Sequence, residues 1–354
     1  MLFIHNYKNE LENYINQNKD LFSSFSGKSI FITGAAGLIG SYIIDLIIVA
    51  NEKFNTNITV FAADKNERLL NERFPDKYGN TVKKFVLDIN EDAIPLEYAD
   101  YIIHAASNTS PTDYATKPIA TMRTNVIGTD RLLAHFWNKG IKRFMFCSSV
   151  EAYGQNNGDV DEFFEDYSGY VNCNTLRAGY PSAKRASEAL CNAYAEEHKD
   201  FDFVISRIGR IYGPTVILGD SKAPTQFIMN AVKGEDIVLK SAGTQEFSYG
   251  YVGDCAIAML KILADGERGQ AYNIADPNSR VLLRDFAQSC ATAAGKTLVL
   301  GEPTAAEKAG YSKITKAVMN TDKLTSLGWT ALYNVREGVS RTVNYLKELT
   351  GGAL

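Results

Sequence analysis

Apolar runs of strand length, at 29–33, 58–63, 84–87, 101–104, 143–147 and 203–207, alternate along the chain with segments of helical periodicity. This alternation predicts a parallel sheet covered by helices on both faces, because parallel neighbours need a crossover that packs back onto the sheet. Ahead of it, Tyr7, Leu11, Tyr14 and Ile15 recur at helical spacing over 6–17, which predicts a short amphipathic helix set before the main fold. A longer helix is expected over 181–198, where Ala183, Ala186, Ala189, Leu190 and Ala193 form a face of small residues suited to close helix packing. Beyond Arg210 the rhythm weakens under Pro214, Gly219, Pro224, Gly234, Gly243, Gly250 and Gly253. The expected organisation is an N-terminal helical extension at 1–27, a doubly wound α/β domain at 28–207 and a smaller mixed α/β domain at 208–354. The last is mainly substrate-binding, and some of its strands return to the main sheet.

Composition narrows the field. With 354 residues, 45% of them hydrophobic, the chain can bury a large core. A net charge of -4, with the cations dispersed, leaves no electrostatic footprint for nucleic acid or an anionic membrane, and small-molecule chemistry is the better expectation. The five cysteines and four histidines are scattered, so neither a disulfide framework nor a metal site is expected. The first 18 residues do not read as a signal peptide, and the apolar stretch 38–50 is interrupted by Asp45 and too short for a bilayer. A cytoplasmic location is the expectation.

The chemistry begins where the first strand runs into Gly34-Ala35-Ala36-Gly37-Leu38-Ile39-Gly40 and then an apolar helix. Glycines in such a turn let the backbone approach a pyrophosphate, and the helix start offers amides without internal partners. Taken alone, the pattern also fits an ordinary strand-to-helix turn. Asp64, just after the second strand, raises it to a dinucleotide site, since a carboxylate there accepts both ribose hydroxyls. NAD(H) is the favoured cofactor. NADP(H) stays open because Lys65 and Arg68 follow closely. Asp88 and Ile89, after the third strand, are placed for the adenine, unless the aspartate only caps a helix.

The GxxGxxG spacing, His104-Ala105-Ala106 after the fourth strand and Tyr180-Pro181-Ser182-Ala183-Lys184 together resemble the extended short-chain dehydrogenase/reductase family of nucleotide-sugar epimerases, dehydratases and decarboxylases. The resemblance implies a Rossmann domain, a homodimer built through the Tyr180–Lys184 helix, and cofactor contacts at Gly34, Ala36, Gly37, Leu38, Ile39, Gly40, Ala105, Ala106 and Ser107. Tyr180 and Lys184 lie four apart on one side of a helix, where an ammonium favours the phenolate. The family's roles fall on Tyr180 as acid/base, Lys184 as holder of the nicotinamide ribose, and Ser149 as hydrogen-bond partner of the reacting sugar oxygen. Asn125 resembles a bracing residue. His104 reads as a packed turn residue.

Within that family the pattern is most similar to UDP-glucuronate decarboxylases, through Glu165 to Asn172, Arg177-Ala178-Gly179-Tyr180, Lys184-Arg185, Glu188, Arg207 to Pro214 and Tyr251 to Asp254. Glu151 matches a glutamate beside the sugar, but Val150 replaces its polar neighbour, so a dehydratase would lack its usual acid. Thr215 stands where an arginine is expected, Arg210 where an asparagine is, and Phe247 where a diphosphate-anchoring arginine is. Lys316 or a neighbour replaces an arginine for the glucuronate carboxylate. The candidate substrate residues are therefore Ser107, Thr109, Ser149, Glu151, Arg177, Arg210, Thr215, Phe247 and Lys316, with Arg210 either a replacement anchor or the partner of a carboxylate such as Glu246.

An intact Ser149, Tyr180 and Lys184 beside an altered clamp shifts the expectation toward reduction of a keto group on a nucleoside-diphosphate sugar, CDP-linked sugars included. Asp64 weighs the other way, toward redox-neutral decarboxylation, epimerisation or dehydration with retained NAD. A non-catalytic NAD-binding regulator is the remaining alternative.

Overall fold

The computed structural model describes residues 1–108, 116–217, 219–220, 222–302 and 314–351. Two helices open the chain, α1 (His5–Gln17) and α2 (Lys19–Ser24). The Rossmann unit follows as β1 (Ser29–Thr33), α3 (Leu38–Phe54), β2 (Thr59–Asp64), α4 (Glu67–Arg73), β3 (Val82–Val86), β4 (Tyr101–His104), α5 (Pro118–Phe136), β5 (Arg143–Ser149), α6 (Gly179–Glu197) and β6 (Phe203–Ile208). The remainder comprises β7 (Arg210–Tyr212), α7 (Ala223–Lys233), β8 (Ile237–Leu239), β9 (Glu246–Tyr251), α8 (Val252–Asp265), β10 (Ala271–Ile274), β11 (Arg280–Leu282), α9 (Leu283–Ala294), β12 (Leu298–Leu300), β13 (Lys316–Ala317), α10 (Asp322–Thr325) and α11 (Val335–Thr350).

Seven parallel strands form the main sheet in the order β10-β6-β5-β4-β1-β2-β3. Strand β10 comes from the C-terminal part and returns to this sheet beside β6. The order reverses between β1 and β4, which opens a ligand crevice at their carboxyl ends. Alternation along β1 sorts the core into two layers: Ile30 and Ile32 face one cluster, while Phe31 joins Ile102, Leu132 and Phe144 in another. Helices α5 and α6 pack together over the second face, and α3 with α8 covers the first. The smaller lobe is built on β9, paired with β7, β11 and β13, with a separate β8–β12 pair. No helix among the described residues is long and apolar enough to cross a membrane.

Helix α3 is apolar nearly all round because it is covered on both sides, by the sheet and by α1 and α8. Its one buried acid, Asp45, accepts from the Tyr7 hydroxyl at 2.7 Å and pairs with Arg73. Helix α1 therefore does more than precede the fold. Tyr7, Leu11 and Ile15 are fully buried and Tyr14 nearly so, and Tyr14 donates to Asp254 on α8 at 2.9 Å. Glu10, 3% exposed, accepts from Tyr42 of α3, Tyr251 of β9 and Tyr345 of α11. The N-terminal helix thus ties the two lobes together, which amphipathic spacing alone did not indicate.

Candidate active site

At two glycines of the turn, Gly34 and Gly40, close contacts leave no room for a side chain. Gly34 has φ of +71°, and a Cβ there would meet the Ala105 carbonyl oxygen at 2.8 Å; one on Gly40 would meet the Gly34 carbonyl oxygen at 2.7 Å. The end of β4 is thereby pressed against the turn, with the Ala105 and Ala106 amides donating to the backbone and side-chain oxygens of Thr33. Gly37 caps α3 in extended conformation, so Leu38, Ile39 and Gly40 fill the first helical turn, whose amides have no helical acceptor. Asp64 accepts from the Ala36 amide at 3.2 Å and the Asn66 amide at 3.0 Å, fixing its carboxylate over the turn. These residues fit a dinucleotide. Lys65 is exposed and Arg68 leans toward Glu72 at 3.8 Å.

Beyond β3, Asp88 caps its own turn by accepting from the Asn90 amide at 2.9 Å. Ile89 is buried against Gly128 of α5, where an added Cβ would come within 2.9 Å of it. Asn125 braces the site: its side-chain oxygen accepts from Ser107 Oγ at 3.1 Å, and its carbonyl accepts from Ser187 of α6 at 2.7 Å. His104 is buried with Nδ1 2.8 Å from Thr33 Oγ1. Burial, then the charge of Lys184, push its pKa down to about 3, so it stays neutral and structural. Thr33 is a contributor that sequence reasoning missed; a threonine ending β1 was the available signal.

Tyr180 and Lys184 lie on the first turns of α6, both buried. The Lys184 ammonium donates to the Cys147 carbonyl at 2.6 Å and sits 5.6 Å from the centre of the Tyr180 ring. Burial lowers its pKa to about 8, against opposing contributions from Cys147 and Glu188. Two residues beyond Cys147, Ser149 ends β5 and accepts from the Glu151 amide at 3.2 Å, so Lys184, with Tyr180 beside it, is held against the strand two residues before the serine. Ser148 turns instead to Glu188, which also takes Arg207 in a two-pronged ion pair. Glu151 faces Arg177 at 3.6 Å.

The other substrate candidates divide. Arg210 stacks on Phe247, its guanidinium carbon 3.6 Å from the ring centre. Thr215 commits its hydroxyl to the Leu38 carbonyl at 2.6 Å, tying the smaller lobe to the cofactor helix. Lys316 is held by Asp161 and lies 4.0 Å from Glu246, in a surface network with Arg280. Glu246 is thus spent on Arg280 and Lys316, not on Arg210. Thr109 lies outside the described residues.

The fold and this strand end define an enzyme of the extended short-chain dehydrogenase/reductase type. Residues 30–275 match the model of the NAD dependent epimerase/dehydratase family, and the chain belongs to that family. Among its relatives, UDP-glucuronic acid decarboxylase 1 of Xenopus tropicalis is 27% identical over 325 residues, covering 91% of this chain and 72% of the relative. UDP-glucuronic acid decarboxylase 6 of Arabidopsis thaliana is 30% identical over 259 residues, 71% of this chain and 70% of that one. A solved structure of UDP-glucuronic acid 4-epimerase from Bacillus cereus, in complex with UDP-glucuronic acid and NAD, superposes with a TM-score of 0.74 at 20% identity, covering 91% and 99% of the two chains. The family to which it belongs is NAD dependent.

Proposed function

We propose that this enzyme converts a nucleoside-diphosphate sugar by redox-neutral chemistry, with UDP-glucuronate the first substrate to test. The reading is supported by Lys184, which stands beside the Tyr180 ring and is held on the Cys147 carbonyl two residues before Ser149 ends β5, in a sheet whose first turn Asp64 closes. NAD, when bound, supplies the hydride acceptor and donor. Tyr180 takes the proton of a sugar hydroxyl and later returns it, Ser149 hydrogen-bonds the same oxygen, and the Lys184 ammonium favours the phenolate. Glu151, with Arg177 near its carboxylate, is the group positioned for a second proton transfer. The leaning toward net reduction, drawn from the altered clamp, finds no support among relatives that are decarboxylases, epimerases and dehydratases by name, and the redox-neutral reading takes its place.

The same reading includes a homodimer through α5 and α6, where Ala186, Ala189 and Ala193 are exposed beside Met122 and Ile119, and a cytoplasmic location consistent with five free cysteines. The test is to denature the purified protein, identify the released nicotinamide, and follow UDP-glucuronate, UDP-glucose and their CDP and dTDP counterparts by mass spectrometry alongside the reduced-cofactor absorbance. Product formation without net absorbance change is expected. One equivalent of cofactor oxidised or reduced per product would sink the redox-neutral reading.

A further inference from the structure

Strand β7 starts two residues beyond Ile208, which is the register partner of Ser149 on β5. Arg210 therefore stands about 7 Å of chain from the reacting strand end, within the span of a nucleoside-diphosphate sugar whose sugar lies at Ser149. Arg210 pairs in register with Tyr249 of β9, and strand alternation places Phe247 and Tyr249 on the same sheet face, with Gln245 just before the strand. Glu246 and Ser248 point to the other face. There Glu246 is held by Arg280 and Lys316, and Ser248 accepts from the Met319 amide.

The Arg210 face is left unsatisfied. Of the seven buried side-chain polar atoms without a partner among the described residues, two belong to it, Arg210 Nε and Tyr249 Oη, and a third, Gln245 Oε1, stands at the entry to β9. Buried polar groups in folded proteins are nearly always paired, so three together call for a ligand that pairs them. Glu246, the carboxylate next to Phe247 in sequence, is on the wrong face to neutralise Arg210, and no ion pair to Arg210 occurs among the described residues. What holds the guanidinium is the Phe247 ring, 3.6 Å beneath it. A planar fork fixed by stacking and still carrying free donors suits a phosphate.

Resting on the nucleotide-sugar reading above, we infer that Arg210 is the diphosphate anchor of this enzyme, reaching the ligand from β7, and that Phe247 is the positioning residue that sets its plane. Phe247 occupies the place from which the family pattern would send an arginine, so the cation has moved one strand over. The Tyr249 hydroxyl adds a donor, and Gln245 Oε1 takes a hydroxyl or amide of the same ligand.

Calorimetric titration of the NAD-loaded protein with UDP, CDP, GDP and dTDP, and with the nucleoside matching the tightest of them, tests this. In Arg210→Ala the diphosphate should bind about ten- to a hundredfold more weakly, while nucleoside and NAD affinities hold. Arg210→Lys should recover part of the loss, because it restores charge without the fork. The pair Arg210→Asn with Phe247→Arg, which moves the cation back to β9, should recover most of it. Diphosphate affinity within twofold of wild type in Arg210→Ala overturns the anchor and leaves the nucleotide-sugar reading standing. Should Arg210→Ala fail to retain NAD, Arg210→Lys decides: unchanged diphosphate affinity overturns the anchor. A wild-type protein that holds NAD yet binds none of the four diphosphates overturns the nucleotide-sugar reading, and the anchor falls with it.

Discussion

In the proposed chemistry Tyr180 is the phenol that accepts and returns a proton. Tyr180→Phe should lower turnover of the identified substrate by about a thousandfold while NAD stays bound, measured by steady-state kinetics and cofactor release. Lys184 sets the pH range. Its ammonium is present below about pH 8 and lost above it, because burial has brought the folded-state value down from 10.5. Thus kcat/KM should fall above about pH 8, and Lys184→Met should abolish that alkaline limb along with most of the rate. The same shift has a stability consequence of definite sign. Between about pH 8 and 10.5 the unfolded chain holds a proton that the folded chain has released, so this group's contribution rises with pH across that window. Thermal unfolding of wild type and Lys184→Met over that range checks it. A flat difference between the two would contradict the buried, charge-strained amine.

Among the elements, the turn between β1 and α3 and the helix α1 carry the sharpest expectations. Gly34→Ala meets both a left-handed backbone and the Ala105 carbonyl at 2.8 Å. It should cost about 1–3 kcal/mol of stability and weaken NAD binding tenfold or more, read by denaturant melts and by titration with NAD. Helix α1 is tied through Glu10, whose pKa burial raises against the pull of three tyrosine hydroxyls and Arg341. Removing the carboxylate leaves the hydroxyls of Tyr42, Tyr251 and Tyr345 without their acceptor. Glu10→Ala should therefore lose about 3 kcal/mol or more, and Glu10→Gln, which keeps an acceptor oxygen, distinctly less. Equal melting of Glu10→Ala and wild type would show that α1 contributes no inter-lobe brace.

For the whole molecule, the exposed alanine face of α6 leads to an expectation about assembly: wild type should sediment as a dimer, and Ala189→Arg as a monomer that still binds NAD. A wild-type monomer at micromolar concentration would remove the interface from the proposal. At this scale the division between sequence and structure is also clearest. The strand–helix rhythm, the glycine cradle with Asp64 and the Tyr180–Lys184 pair were legible along the chain, because each depends on residues that are near neighbours in sequence or on a repeating local period. The rest depended on partners far apart. Nothing local told that Glu246 turns away to Arg280 and Lys316, that Arg210 lies on Phe247, that Thr215 is spent on the Leu38 carbonyl, or that Glu10 meets Tyr345 across 335 positions. Local periodicity settles which face of an element is apolar. Which charge finds which partner is settled only when strands from distant segments come into register, since electrostatic and hydrogen-bond contacts act over a few ångströms of space and take no account of sequence distance.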